Sequence, residues 1–133
     1  MAIIEGVTGP KIATAEYDFA RDGGAVSSIT LRSVDSDSVG SAIPVGAVIL
    51  GGYVDVLTTL TSGGAATIAI NSEGAGDVLA ALAVASWTAG RKSVIPVFTG
   101  ATAVKTTAAR NIVATIATAA LTAGKFRVVL MYV

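Results

Sequence analysis

Apolar and polar residues alternate with a period of two along most of this chain. Between Ile12 and Ala20, the residues Ala13, Ala15, Tyr17 and Phe19 fall on one side and Thr14, Glu16 and Asp18 on the other. That is the pattern of a strand with one buried face. Ile29 and Leu31, set among Ser28, Thr30 and Arg32, repeat it. Two apolar runs follow, Ile43–Leu50 with Pro44 near its start and Tyr53–Leu60, and the Gly51-Gly52 pair between them predicts a tight turn or a bulge. Ile68 and Ile70 mark a strand over Ala66–Asn71 after the turn signal Ser62-Gly63-Gly64. Ser93–Phe98 reads as a strand that Pro96 places at an edge or bulge. Ile112, Ala114 and Ile116 alternate with Val113, Thr115 and Ala117, and Phe126–Val133 predicts a strand held in a sheet to the last residue.

One segment departs from this period. In Asp77–Trp87, Ala and Leu recur at helical spacing after Gly74-Ala75-Gly76, and Asp77 is placed to cap a short helix. Eight or so short strands with Gly- and Ser-rich turns and one short helix predict an all-β fold. The expected architecture is an antiparallel β-sandwich, jelly-roll-like, with an immunoglobulin-like sandwich as second choice. At 133 residues the chain suits a single domain, 1–133.

Composition sharpens the picture. Charged residues make up 14% of the chain, against about 25% in an average protein, and apolar residues 53%. Nine acids balance nine bases, so no net field draws in nucleic acid or an anionic membrane. A surface so poor in charge favours association with other protein. The charges are also split: residues 1–41 sum to −3 and residues 42–133 to +3. The first residues lack the pattern of a signal peptide, and no apolar run of 18 residues is present to span a membrane as a helix.

Candidate chemistry is sparse. Without His or Cys there is no Ser-His-Asp triad, Cys-His pair or ordinary zinc site. Asp35 and Asp37 sit in a Ser-rich stretch that reads as a solvated turn, lacking the other positions of a calcium loop. Gly100–Thr106 lacks the second Gly of a phosphate loop, and Gly74-x-Gly76 is weaker still. Arg91-Lys92 near Trp87 and Arg127 beside Phe126 are too few to make a single-strand nucleic-acid platform. The expectation is a protein that is not an enzyme and uses no cofactor or metal.

The second half resembles a known group. The run Ile43-Pro44-Val45-Gly46-Ala47-Val48-Ile49, then Gly52-Tyr53-Val54-Asp55-Val56, is similar to small virion proteins of tailed bacteriophages. So are Thr107-Ala108-Ala109-Arg110-Asn111 and the stretch from Thr118 to Phe126. Such proteins are usually head decoration, cement or other structural proteins of the virion. The resemblance implies a homotrimer on the outer capsid surface, at local three-fold points, clamping neighbouring subunits of the major capsid protein. Residues 1–25 are then a candidate N-terminal arm making shell or intersubunit contacts, with Tyr17 and Phe19 as anchors unless they belong to the core. Trp87 and Arg91 are the other interface candidates. The alternative is a tail, fibre or host-adhesion domain that binds surface carbohydrate, which predicts aromatic rings exposed on loops, Trp87 foremost.

Overall fold

The alternation at Ala13, Ala15 and Tyr17 is realised as the first strand of a computed structural model that describes residues 11–33, 43–96 and 103–133. In chain order the elements are β1 (Lys11–Asp18), α1 (Phe19–Asp22), β2 (Ser27–Thr30), β3 (Val48–Ser62), β4 (Thr67–Asn71), β5 (Leu79–Ala83), β6 (Gly90–Ser93), β7 (Val104–Lys105), β8 (Val113–Ala117) and β9 (Leu121–Tyr132). The first sheet has the order β1-β9-β3-β6, with β7 also paired to β3; the second has the order β2-β8-β4-β5. Every pairing is antiparallel.

The pairs are nested. β1 joins β9, β2 joins β8, β3 joins β6 and β4 joins β5, and successive pairs alternate between the two sheets. A long hairpin rolled over on itself has this topology, so the sandwich is a jelly roll and the immunoglobulin-like option falls away. The terminal strand β9 lies inside the first sheet between β1 and β3. Its alternating burial puts Phe126, Val128 and Leu130 inward and Arg127 and Met131 outward.

One core fills the space between the sheets. At its centre Phe126 packs on Tyr17, with ring centroids 5.2 Å apart, and on Trp87, at 5.0 Å. All three rings are fully buried. The Tyr17 hydroxyl donates to the Gly23 carbonyl. Burial, helped by Asp22 and Asp18, pushes its pKa up to about 12.

The helix expected over Asp77–Trp87 is not there. Leu79–Ala83 forms β5, with Leu79 opposite Ile70 and Leu82 opposite Ile68, and Val84–Ser86 is one 3-10 turn. Asp77 points its carboxylate back rather than forward: Oδ1 accepts from Ser72 N at 2.8 Å, and Oδ2 from Glu73 N at 2.9 Å and Gly74 N at 2.8 Å. It closes the β4–β5 turn. Among the described residues the one short α-helix is α1, where Asp18 Oδ1 caps Ala20 N at 3.0 Å, so Phe19 leaves the strand.

The two runs around Gly51-Gly52 belong to one strand, β3, with a bulge at the glycines. β3 starts only at Val48; Ile43 makes a separate bridge to Arg110, and a turn at Val45-Gly46 intervenes. β6 ends at Ser93, with Val94 and Pro96 buried beyond it. Val97 and Phe98, like Asp35, Asp37 and Gly100–Thr102, lie outside the described residues.

Candidate interaction surfaces

The two outer faces of the sandwich differ in kind. On the first sheet, register places Glu16, Arg127, Asp55 and Arg91 side by side in one row across β1, β9, β3 and β6. The signs alternate along the row. In the next row stand Thr14, Val129, Tyr53 and Ser93, and beyond them Ile12 lies opposite Met131. Ile12, Tyr53 and Met131 are 66%, 41% and 36% exposed, an apolar patch beside a charged row.

The charges of that row are not equally free. Glu16 is nearly buried, and Arg127 Nε donates to its Oε2 at 2.8 Å. Arg21 and Lys125 reach Glu16 Oε1 at 3.7 and 3.8 Å. Three cations thus share one nearly buried carboxylate, so its charge is matched within its own chain. Among the described residues Asp55 and Arg91 make no ion pair with each other or with any neighbour.

Strands β2, β4, β5 and β8 of the second sheet carry no charged residue at all. A groove of about 310 Å³ opens there, lined by Ala69, Asn71, Gly76, Ala80, Ala81 and Thr115. Its one amide is engaged: Asn71 Nδ2 donates to Thr115 Oγ1 at 2.7 Å, and Asn71 Oδ1 accepts from Gly76 N at 2.6 Å.

Of the side chains singled out from the sequence, Tyr17 and Trp87 are core and offer no surface in the folded chain. Phe19 is half-buried against the core, and Arg91 is exposed on β6. These four residues do not form one site. No group of three potential metal ligands occurs among the described residues, and no helix there is long and apolar enough to cross a membrane.

No protein-family model matches the chain, and no curated protein matches it in sequence. Solved structures do match. Chains from three phage capsids share this fold. A chain of the cyanophage Pam1 capsid superposes with a TM-score of 0.64 at 20% identity, covering 99% of this chain and 91% of that one. A chain of the acid-stable capsid of Helicobacter pylori bacteriophage KHP30 gives 0.60 at 17%, covering 92% and 86%. One from the capsid of Ralstonia phage GP4 gives 0.57 at 16%, covering 99% and 88%. The likeness runs over nearly the full length of each chain.

A surface staple that sequence reading missed joins the turn after β4 to the loop before β8. Glu73 accepts from Arg110 Nε at 2.8 Å and Nη2 at 3.0 Å, and from Thr107 N at 2.9 Å and Oγ1 at 2.7 Å. Glu73 and Arg110 are 37 residues apart, so only the fold brings them together. The bonds from Arg110, then those from Thr107, lower the Glu73 pKa from 4.5 to about 2. Because the folded value is the depressed one, its contribution is complete above pH 4.5 and is lost as pH falls toward 2. Melting temperatures taken from pH 7 down to pH 2 should therefore fall less steeply below pH 4.5 in Glu73→Gln than in the parent. Salt should narrow the gap, since the pair is at the surface. Identical acid limbs in the two proteins would show that the staple adds nothing.

Proposed function

We propose that this chain is a structural protein of a bacteriophage virion, carried on the outside of the head as a decoration or cement protein. The observation that carries the reading is the full-length likeness of its jelly roll to chains of three phage capsids. The residue patterns after position 42 point the same way. On this reading the protein assembles as a homotrimer, binds the major capsid protein and needs no nucleic acid, membrane or cofactor. A ligand that binds only the assembled shell stabilises it by mass action. The groove and charge-free face of the second sheet suit a partner whose own surface is small and neutral.

Within the candidate arm, residues 1–25, the part before β1 is the one a truncation can test without cutting a strand. Residues 11–18 are β1, paired with β9 along their whole length, and removing them would strip an edge from the core. The carbohydrate-binding alternative loses its best candidate, because Trp87 is sealed between the sheets.

The test is co-sedimentation of the purified protein, full length and lacking residues 2–10, with shells built from the major capsid protein alone. Saturable binding that raises the temperature of shell disruption supports decoration, and its loss on truncation assigns the arm. A folded protein that ignores the shells in both forms overturns the reading. The mass in solution by light scattering decides the trimer separately.

A further inference from the structure

We infer that the outer face of the first sheet is a two-fold contact with a second copy of this chain. The argument is the pattern of its two rows. The row Glu16, Arg127, Asp55, Arg91 runs minus, plus, minus, plus; read backwards, every sign is reversed. The row Thr14, Val129, Tyr53, Ser93 runs polar, apolar, apolar, polar and reads the same in both directions. Each row is therefore complementary to its own reverse, the charged one by opposite sign and the apolar one by likeness.

A single two-fold axis satisfies both at once. It runs along the strands, between β9 and β3, in the plane of contact. It sets Arg127 against Asp55 of the second copy and Asp55 against its Arg127, while Val129 and Tyr53 meet Tyr53 and Val129. Isologous contacts of this kind are the commonest in symmetric assemblies, and sheets stacked face to face with strands roughly aligned are an ordinary packing. Asp55 has no ion-pair partner within its own chain among the described residues, and Arg127 is 45% exposed although it holds Glu16. At the rim Arg91 meets the surroundings of Glu16, whose carboxylate three cations already share, so the two central pairs supply the attraction.

Size sets the strength. Four strands about 4.8 Å apart and about seven residues along each span on the order of 400 Å² per copy. Stable interfaces bury about 800 Å² per partner. The contact is thus weak between free chains and strong only where copies are held side by side, which raises their effective concentration. It is distinct from a three-fold ring and holds whether or not the chain decorates a capsid.

The chain has no cysteine, so cross-linking starts from a clean background. A tagged Tyr53→Cys chain is mixed with an untagged Val129→Cys chain at about 1 mM and oxidised slowly, a concentration chosen to populate a weak contact. The expected product is the mixed disulfide, about fivefold over either like-with-like dimer. Asp55→Asn in both chains should cut that yield severalfold, and Ala81→Cys, exposed on the other sheet, should stay a free thiol. Asp55→Asn keeps the size of the side chain, and a melting curve confirms that each variant is folded. A statistical mixture of the three dimers, or a yield indifferent to Asp55, overturns the proposal.

Discussion

Trp87→Ala is expected to lower the unfolding free energy by about 3–5 kcal/mol, the range for removing a fully buried large aromatic side chain. For a domain of this size the melting temperature should drop on the order of 10–25 °C. Trp87 sits where the chain crosses from β5 in the second sheet to β6 in the first, so its ring is packed by both layers. Its loss leaves Phe126 with Tyr17 as its one aromatic neighbour among the described residues and opens a cavity that two hydrogen-bonded sheets cannot close. The backbone role is separate and survives, since the Trp87 carbonyl accepts from Leu60 N at 3.0 Å whatever the side chain. Trp87→Phe should cost less than half as much. It keeps an aromatic ring on Phe126 and deletes the indole Nε1, a buried donor with no acceptor among the described residues, which relieves a desolvation cost of about 1–3 kcal/mol. Denaturant titration checks both variants, with an unchanged slope expected. A loss under about 1 kcal/mol for Trp87→Ala would mean that the ring is not central to the core.

The same residue shows what was legible in the sequence. An isolated Trp in a chain poor in aromatics reads equally well as a surface anchor or a core filler. Periodicity did not decide, because the Ala- and Leu-rich segment before it suits a helix and a strand alike. Pairing with β4 decided it, and that long-range ladder outweighs local propensity. Where period-two alternation was strong, as at Ala13, Ala15 and Tyr17 or at Ile112, Ala114 and Ile116, the inward side was readable and the structure agrees.

The surfaces were far less legible. Glu16 and Asp55 each looked like an ordinary polar position on a strand. Their row with Arg127 and Arg91 exists only through register, which joins residues up to 111 positions apart. The charge split along the chain did foreshadow one contact: acidic Glu16 from the first third is held by basic Arg127 and Lys125 from the last. Opposite charges in the two parts of the sequence are thus partly spent within one fold.

The glycine pair in β3 links that register to stability. Gly52→Ala is expected to cost about 2–4 kcal/mol, combining backbone strain with overpacking. Gly52 has φ +146°, where an L side chain is strained, and a Cβ there would overlap the Val129 carbonyl oxygen and lie 2.9 Å from Leu130 Cα. Both are backbone atoms of β9 and cannot yield without opening the β3·β9 ladder, the seam between the middle strands of the first sheet. Its neighbour offers the control. A Cβ on Gly51 would meet only the Pro96 carbonyl oxygen, at an ordinary 3.6 Å, so Gly51→Ala should change stability by less than about 1 kcal/mol and can raise it. The bulge also sets phase: between Ile49 and Gly51 two steps on β3 match one on β9. Without that extra residue the strand before the bulge and the strand after it would not both keep their apolar side chains inward. Val54 and Val56 would trade places with Tyr53 and Asp55, and the row of alternating charge would go with them. Equal stability of the two alanine variants in denaturant titration would show that Gly52 is dispensable and that the bulge is held by the ladder alone.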